Sequence, residues 1–308
     1  MKTIYVVTGQ TASGKTSYAI NLANELNGEL VNADSRQIYK HMDIVTGKDL
    51  YLTQGSFQLV NKVNDFDIGY YSIPLVHSKV WLYDVVDPNI NFSAFDYKIC
   101  ALDCIEKILT NQKVPIIVGG SYLYIKSLLF NTIDIHVPPN LRLRTELSEL
   151  TVYNLQKKLN NINSTILGTM NESDRSNPHR LIRKIEILSN AKAPISDISS
   201  IPIAEKYYIK LIGLRHKDPL VLGQIIEKRI NERMEKGAVD EVIKLQQMNY
   251  TGETPGLNAI GYKQIISYLN KSISYEELLL DWKTKEIQYA KRQYTFIKQN
   301  ENINWIYK

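Results

Sequence analysis

Apolar residues along this chain change period from two to about 3.6 and back, and the changes mark its elements. Thr3–Thr8 is a short β-branched and aromatic run stopped by Gly9. From Lys15 to Leu26, apolar positions recur at Tyr18, Ala19, Leu22, Ala23 and Leu26, the spacing of one helix face. The pattern predicts strand, loop and helix. Apolar runs at Leu30–Ala33, Val80–Val86 and Val114–Val118 read as buried strands, with helical patterns over Ala94–Leu109 and Tyr122–Phe130. Buried strands alternating with helices predict an α/β fold, a parallel sheet flanked by helices. Right-handed crossovers then bring the loops after Thr8, Ala33, Val86 and Val118 to one edge, where such sheets bind ligands.

The alternation stops at Val137-Pro138-Pro139-Asn140. Residues 141–200 carry helix-like stretches with nine basic and six acidic side chains and no convincing buried strand. Sheet pattern resumes at Tyr207–Leu214, followed by helical runs over Pro219–Gln247, Asn258–Leu269 and Tyr275–Gln299 and a final strand at Ile303–Tyr307. The expected organisation is a core from residues 1–139 and 201–308 with a helical insertion over 140–200. Segment 50–79, polar and with Gly55, Gly69 and Pro74, reads as a flap or small hairpin.

Composition narrows the class. With 308 residues, 44% of them apolar, the chain buries a sizeable core, which excludes disordered, collagenous and disulfide-scaffold proteins. Its net charge of +5 is uneven: residues 1–131 hold 11 basic and 12 acidic residues, whereas 132–308 hold 26 and 20. That basic second part suits a polyanionic partner. Cys100 and Cys104, four apart on one predicted helix, read as packing residues, since zinc needs two further ligands that the pattern does not offer. No run approaches the roughly 18 apolar residues of a membrane span, and the opening segment is not a signal peptide. The expectation is a cytoplasmic protein.

The strongest local signal is Gly9-Gln10-Thr11-Ala12-Ser13-Gly14-Lys15-Thr16, a full match to G-x-x-x-x-G-K-[ST] between the first strand and first helix. Glycines let successive backbone N–H groups converge on phosphate oxygens, and the helix N-terminus adds partial positive charge. Lys15 neutralises a distal phosphate and the Thr16 hydroxyl is suited to Mg²⁺. A diphosphate or nucleotide is therefore expected across Gly9 to Thr16. The next loop begins with Asp34 directly after the second strand, at the same edge, where a carboxylate faces the group being transferred or holds magnesium through water. Asp84 and Asp87 are open to two readings, a magnesium carboxylate or loop caps.

Taken in order, Gly9–Thr16, Asn32-Ala33-Asp34-Ser35-Arg36-Gln37-Ile38-Tyr39, Asp84-Val85-Val86-Asp87-Pro88, Val118-Gly119-Gly120-Ser121-Tyr122-Leu123-Tyr124, His179-Arg180-Leu181-Ile182-Arg183-Lys184, Ala259-Ile260-Gly261-Tyr262-Lys263-Gln264 and Ala290-Lys291-Arg292-Gln293-Tyr294-Thr295 resemble the tRNA dimethylallyltransferase family from one end of the chain to the other. The resemblance implies a P-loop NTPase-like parallel sheet with an inserted all-helical tRNA-binding domain. It implies transfer of the dimethylallyl group of dimethylallyl diphosphate to the exocyclic amine of the adenine 3′ of the anticodon, with Mg²⁺. The expected partners are the anticodon stem-loop of tRNA and that donor, no membrane, and the expected state is a monomer.

Residue by residue, the resemblance implies that Asp34 accepts the amine proton, that Ser121, where the family has Thr, bonds the leaving bridging oxygen, and that Lys15 stabilises the leaving diphosphate. The tRNA contacts it implies are Asp34, Ser35, Arg36, Gln37, Ser121, Arg142, His179, Arg180, Leu181, Ile182 and Arg183. Lys291 and Arg292 beside Tyr289 and Tyr294 suit further backbone contacts or stacking. Two departures stand out. Gln10 replaces a proline at a position that supplies backbone. In the family pattern R-I-x-x-R the first Arg falls on Ile225, so its assistance to the diphosphate passes to Arg229 or Lys228, or is lost. Rival readings are an adenylate isopentenyltransferase, a P-loop kinase of a small metabolite with ATP turnover, and a non-catalytic RNA-binding paralogue.

Overall fold

Strand pairing follows the burial pattern of the sequence. The computed structural model describes residues 1–48, 50, 53–130, 137, 139–189 and 202–308. Its strands are β1 (Thr3–Gly9), β2 (Gly28–Asn32), β3 (Gln54–Val63), β4 (Phe66–Ile73), β5 (Ser78–Trp81), β6 (Val114–Val118), β7 (Tyr208–Arg215) and β8 (Asn304–Tyr307), in one sheet of order β3-β4-β5-β2-β6-β1-β7-β8. From β5 to β8 every pairing is parallel, while β3 and β4 form an antiparallel hairpin added at the β5 edge. Segment 50–79 is thus the hairpin of the two sequence readings.

The helices are α1 (Lys15–Leu26), α2 (Ala94–Thr110), α3 (Tyr122–Leu129), α4 (Leu141–Ser148), α5 (Val152–Ile162), α6 (Ile166–Thr169), α7 (Glu172–Arg175), α8 (Pro178–Ser189), α9 (Ile203–Lys206), α10 (Pro219–Glu235), α11 (Ala238–Gln247), α12 (Tyr262–Leu269) and α13 (Tyr275–Ile297). Alternate side chains of β1 enter different layers. Ile4 and Val6 pack with α2, α3 and α10 to α13, whereas Val7 packs with Ala19, Leu22 and Ala23 of α1. Burying β1 on both faces explains why its sequence reads as a continuous apolar run.

Three elements differ from the sequence expectation. The strand expected at Val80–Val86 ends at Trp81, because Leu82 and Asp84 adopt φ of 64° and 55°. Asp84 is held there by Lys48 Nζ at 2.5 Å and by the Tyr71 hydroxyl at 2.5 Å. The fully buried Lys48 ammonium also reaches Tyr39 O at 2.6 Å and Asp43 at 2.7 Å. Asp84 is therefore an ion-pair partner, not a loop cap, and Asp87 lies 3.5 Å from Lys40. The run Pro219–Gln247 splits into α10 and α11 at Gly237, whose φ of 93° ends a helix. Likewise Gly261, at φ 91°, begins α12 and lets the Trp282 indole pack against its Cα.

Helices α4 to α8 close on an apolar cluster of their own, built from Leu147, Leu155, Leu159, Leu181, Ile182 and Ile185. Residues 131–136 and 190–201 lie outside the described residues, among them the end of the expected insertion. Glu186 ties this unit together: its carboxylate accepts from Asn140 N at 2.5 Å, from Arg144 Nε at 2.9 Å and Nη2 at 2.7 Å, and from Arg183. Burial pushes this carboxyl up, but the bonds from Arg144, Asn140 and Arg183 outweigh it and hold the carboxyl below its ordinary range. A lowered folded pKa contributes stability that is complete above the ordinary carboxyl range and is lost as pH falls through the folded value. Glu186→Gln is expected to cost about 3 kcal/mol at neutral pH by leaving two guanidiniums uncompensated. In urea unfolding its deficit against the parent should shrink below about pH 4.

Candidate active site at the carboxyl edge of the sheet

The G-x-x-x-x-G-K-T segment leaves β1 at Gly9, whose φ of 145° and packing against Leu214 of β7 exclude a side chain. Ala12 at φ 62° and Gly14 at φ 77° then curl the loop into the start of α1. Lys15 Nζ donates to Gln10 O at 2.6 Å and Ser13 Oγ to the same carbonyl at 2.8 Å, so the loop folds on itself around that oxygen. The Gln10 side chain turns away, its Nε2 3.4 Å from Ala290 O on α13. Beside the loop is a pocket of about 310 Å³ lined in part by Thr11, Lys15, Thr16, Asp34, Gln37 and Gly120. Three sheet loops, after β1, β2 and β6, meet there, as the topology requires.

Asp34 is aimed by its own loop. Asn32 Oδ1 accepts from Asp34 N at 3.1 Å, and Asp34 Oδ1 accepts from Arg36 N at 2.9 Å. Ser35 N donates to Ser121 Oγ at 2.8 Å, and Ser121 Oγ lies 3.1 Å from Ser35 Oγ. The Ser121 hydroxyl thus secures the Asp34 loop. Gln37 donates from Nε2 to Gly47 O at 2.9 Å, and Arg36 from Nη1 to Pro255 O at 3.3 Å. A neighbouring pocket of about 350 Å³ is lined in part by Asp34, Ser35, Arg36, Tyr289 and Arg292. Asp34 borders both pockets.

Two residues of α13 complete the site, and the sequence reading did not single them out for it. Buried Gln293 accepts from Thr11 N at 2.7 Å through Oε1 and donates to Gly120 O at 3.0 Å through Nε2. Its amide occupies the space a side chain at Gly120 would fill, which explains the glycine. Tyr289 lines the second pocket with Asp34, and burial, reinforced by the charge of Asp34, holds its phenol protonated far above the ordinary range. The signal was the motif Ala290–Thr295, in which a glutamine stands one turn after Tyr289 on the same helix.

Along α10, Lys228 points outward, 79% exposed and 3.9 Å from Glu232, so it does not replace the arginine expected at Ile225. Arg229 lines the first pocket and lies 3.4 Å from Thr11 Oγ1. Arg233 lines both pockets.

Of the other residues expected to meet RNA, Ser35, His179 and Arg183 border a cleft of about 840 Å³ between the sheet layer and the helical unit, together with Phe92, Leu123 and Arg144, whereas Arg142 and Arg180 do not line it. Ile182 lines it, and Leu181 is fully buried in the helical unit. Arg183 bonds Glu186 and, at 2.6 Å, Val137 O, Arg180 pairs with Asp174, and exposed Arg142 lies 3.2 Å from Glu146. Cys100 and Cys104 are buried in the core, with thiols pushed up by desolvation, which fits packing residues. Among the described residues no helix is long and apolar enough to cross a membrane.

A family model described as IPP transferase matches residues 75–300. The tRNA dimethylallyltransferase of Acetivibrio thermocellus is 36% identical over 100% of this chain and 92% of its own length. That of Thermoanaerobacter pseudethanolicus is 32% identical over 99% of this chain and 91% of its own. The solved tRNA isopentenylpyrophosphate transferase of Bacillus halodurans superposes with a TM-score of 0.64 at 29% identity, over 99% of this chain and 89% of that one. A eukaryotic dimethylallyltransferase acting on tRNA has the same fold, with a TM-score of 0.72 at 22% identity over 100% of this chain and 74% of that one. With its P-loop, its Asp34 loop and its glycine pair meeting at one sheet edge, the chain belongs to the IPP transferase family, as do its tRNA dimethylallyltransferase relatives named above.

Proposed function

We propose that this chain transfers the dimethylallyl group of dimethylallyl diphosphate to the N6 amine of the adenine 3′ of the tRNA anticodon, releasing diphosphate. The observation that carries the reading is that Lys15 and Asp34 line one pocket, an anion cradle beside a fixed carboxylate. The allylic C–O bond breaks with its electron pair leaving on the diphosphate, while the amine lone pair forms the N–C bond. Lys15 and the amides of the loop at the α1 N-terminus bind the growing negative charge more tightly than the ground state. Arg36 N occupies Asp34 Oδ1, leaving Oδ2 to orient the amine and take its proton. Ser121 holds the loop that aims this carboxylate, and protonated Tyr289 stands in the same pocket wall as Asp34.

The donor set suits Mg²⁺. Thr16 and Asp34 line the same pocket, and magnesium ordinarily takes one or two protein oxygens with the rest from water and phosphates. Among the described residues no cluster of three or more His, Cys, Asp or Glu forms a cage for a resident metal. When bound, the ion supplies charge neutralisation on the diphosphate; Thr16 would hold it, with Asp34 close by.

The anticodon loop enters through the cleft between the sheet layer and the helical unit. A base swung out of that loop is recognised by stacking and edge contacts, which Phe92, Leu123 and the basic rim of Arg144, His179 and Arg183 are suited to give. We place the enzyme in the cytoplasm as a monomer, with bulk contacts to tRNA from Arg142, Arg180 and Arg292.

Incubated with dimethylallyl diphosphate, Mg²⁺ and either unmodified tRNA or AMP, the protein should prenylate adenine in tRNA only, read by mass after digestion. Product on AMP, or ATP turnover without prenylated tRNA, would replace this reading. Asp34→Ala should keep tRNA binding and lose about two orders of magnitude or more in turnover. Gln293→Glu, which loses the donor to Gly120 O and sets a negative charge beside the cradle, should raise KM for the diphosphate donor about tenfold or more with a smaller effect on tRNA affinity. Both are measured by steady-state kinetics and filter binding.

A further inference from the structure

Strand β7 outruns its neighbour β1. Gly9, the last residue of β1, pairs with Leu214, and the chain of β7 continues past that pair through Arg215 to His216, alongside the G-x-x-x-x-G-K-T turn. Its backbone is fixed there by the residue that follows β8: Lys308 N donates to Arg215 O at 2.9 Å, and Lys217 N donates to Lys308 O at 3.1 Å. His216, between those two bonds, is 9% exposed, and its Nε2 lies 3.1 Å from Ala12 O. A carbonyl oxygen only accepts, so Nε2 carries the proton and donates.

Ala12 is the residue of the turn that most needs holding. Ser13 N donates to Gln10 O at 3.3 Å, which closes a four-residue turn with Ala12 in third place at φ 62°. That place favours glycine, because a side chain in left-handed backbone crowds the neighbouring carbonyl. Such strain persists only where the surroundings over-determine it. Two distant elements do so here: Gln293 of α13 holds Thr11 N, and His216 holds Ala12 O. An anion cradle also requires N–H groups that face the ligand and carbonyls that face away. Ala12 lines the first pocket and His216 does not, so their bond draws the Ala12 carbonyl away from the pocket.

We propose that His216 is a positioning residue for the diphosphate. It acts through Ala12 O, keeping the turn in its left-handed, anion-binding form without touching the ligand. The assignment rests on the functional reading above for the identity of the anion, and deepens it.

Calorimetric titration of the full chain with inorganic pyrophosphate and Mg²⁺ tests it. His216→Leu keeps bulk and loses the donor, and should weaken binding about 5- to 20-fold. His216→Gln, whose amide nitrogen reaches as far as Nε2, should stay within about twofold of the parent. Adding Ala12→Gly to His216→Leu lets the turn adopt its left-handed form without steric cost, and affinity should return to within about threefold of the parent. Unchanged affinity in His216→Leu, an equal loss in the Leu and Gln variants, or no recovery with Ala12→Gly overturns the assignment alone, since packing of β7 would then account for the histidine. If circular dichroism shows His216→Leu unfolded, His216→Gln decides by itself: retained affinity supports the assignment and lost affinity overturns it. Parent protein that binds ATP but no pyrophosphate overturns the functional reading and this assignment with it.

Discussion

One carboxamide holds the site together. Gln293 is an acceptor toward Thr11 N and a donor toward Gly120 O, so it fixes the spacing between the loop after β1 and the loop after β6. Neither loop is regular structure, and their glycines make room for other neighbours, Leu214 at Gly9, Ala33 at Gly119 and Gln293 itself at Gly120. Without a bridge that satisfies both a buried N–H and a buried C=O, one of them would be left unpaired at a cost of about 1 to 3 kcal/mol. A glutamine meets both needs with a single neutral group. Its neutrality matters for the proposed reaction, in which the same few ångströms accept a diphosphate.

Around that brace the charges are sorted by element. The cations that line the first pocket come from α1 and α10, as Lys15, Arg229 and Arg233, whereas Asp34 comes from the loop after β2. A different set of acids is used for support. Glu241 accepts from Asp43 N at 2.8 Å, Ile44 N at 2.6 Å, Val45 N at 3.1 Å and the Tyr262 hydroxyl at 2.6 Å. With Lys48 and Asp84 it fastens segment 39–48, which carries Gly47 of the first pocket. The two sets differ because supporting carboxylates have their lone pairs filled by several protein donors, while Asp34 accepts through Oδ1 from Arg36 N.

Local sequence was enough for the parallel core and for the cradle, because both are written in short-range patterns: a β-branched run, a glycine-rich turn, and a helix face repeating from Lys15. Asp34 could be placed at the working edge since it directly follows a strand. The end of β5 could not be read, because Leu82 and Val85 are as apolar as strand residues, and only the distant Lys48 and Tyr71 explain why the chain turns there. For the same reason Gln293 was hidden. It sits on an ordinary amphipathic helix, and its importance comes from a partner some 280 residues away. Lys228 shows the converse: it was a fair candidate by charge, and helical phase alone turns it to solvent.

The distance in sequence between the P-loop and its brace has a consequence for how the protein is made. β1 lies between β6 and β7, more than 100 and about 200 residues later, and Thr11 waits for a glutamine 282 positions downstream. A nascent chain leaving the ribosome thus displays its G-x-x-x-x-G-K-T turn long before the strands and helix that shape it exist. Topology of this kind delays closure until nearly the whole polypeptide is available. The pocket beside the G-x-x-x-x-G-K-T turn should therefore take shape late and all at once during biosynthesis.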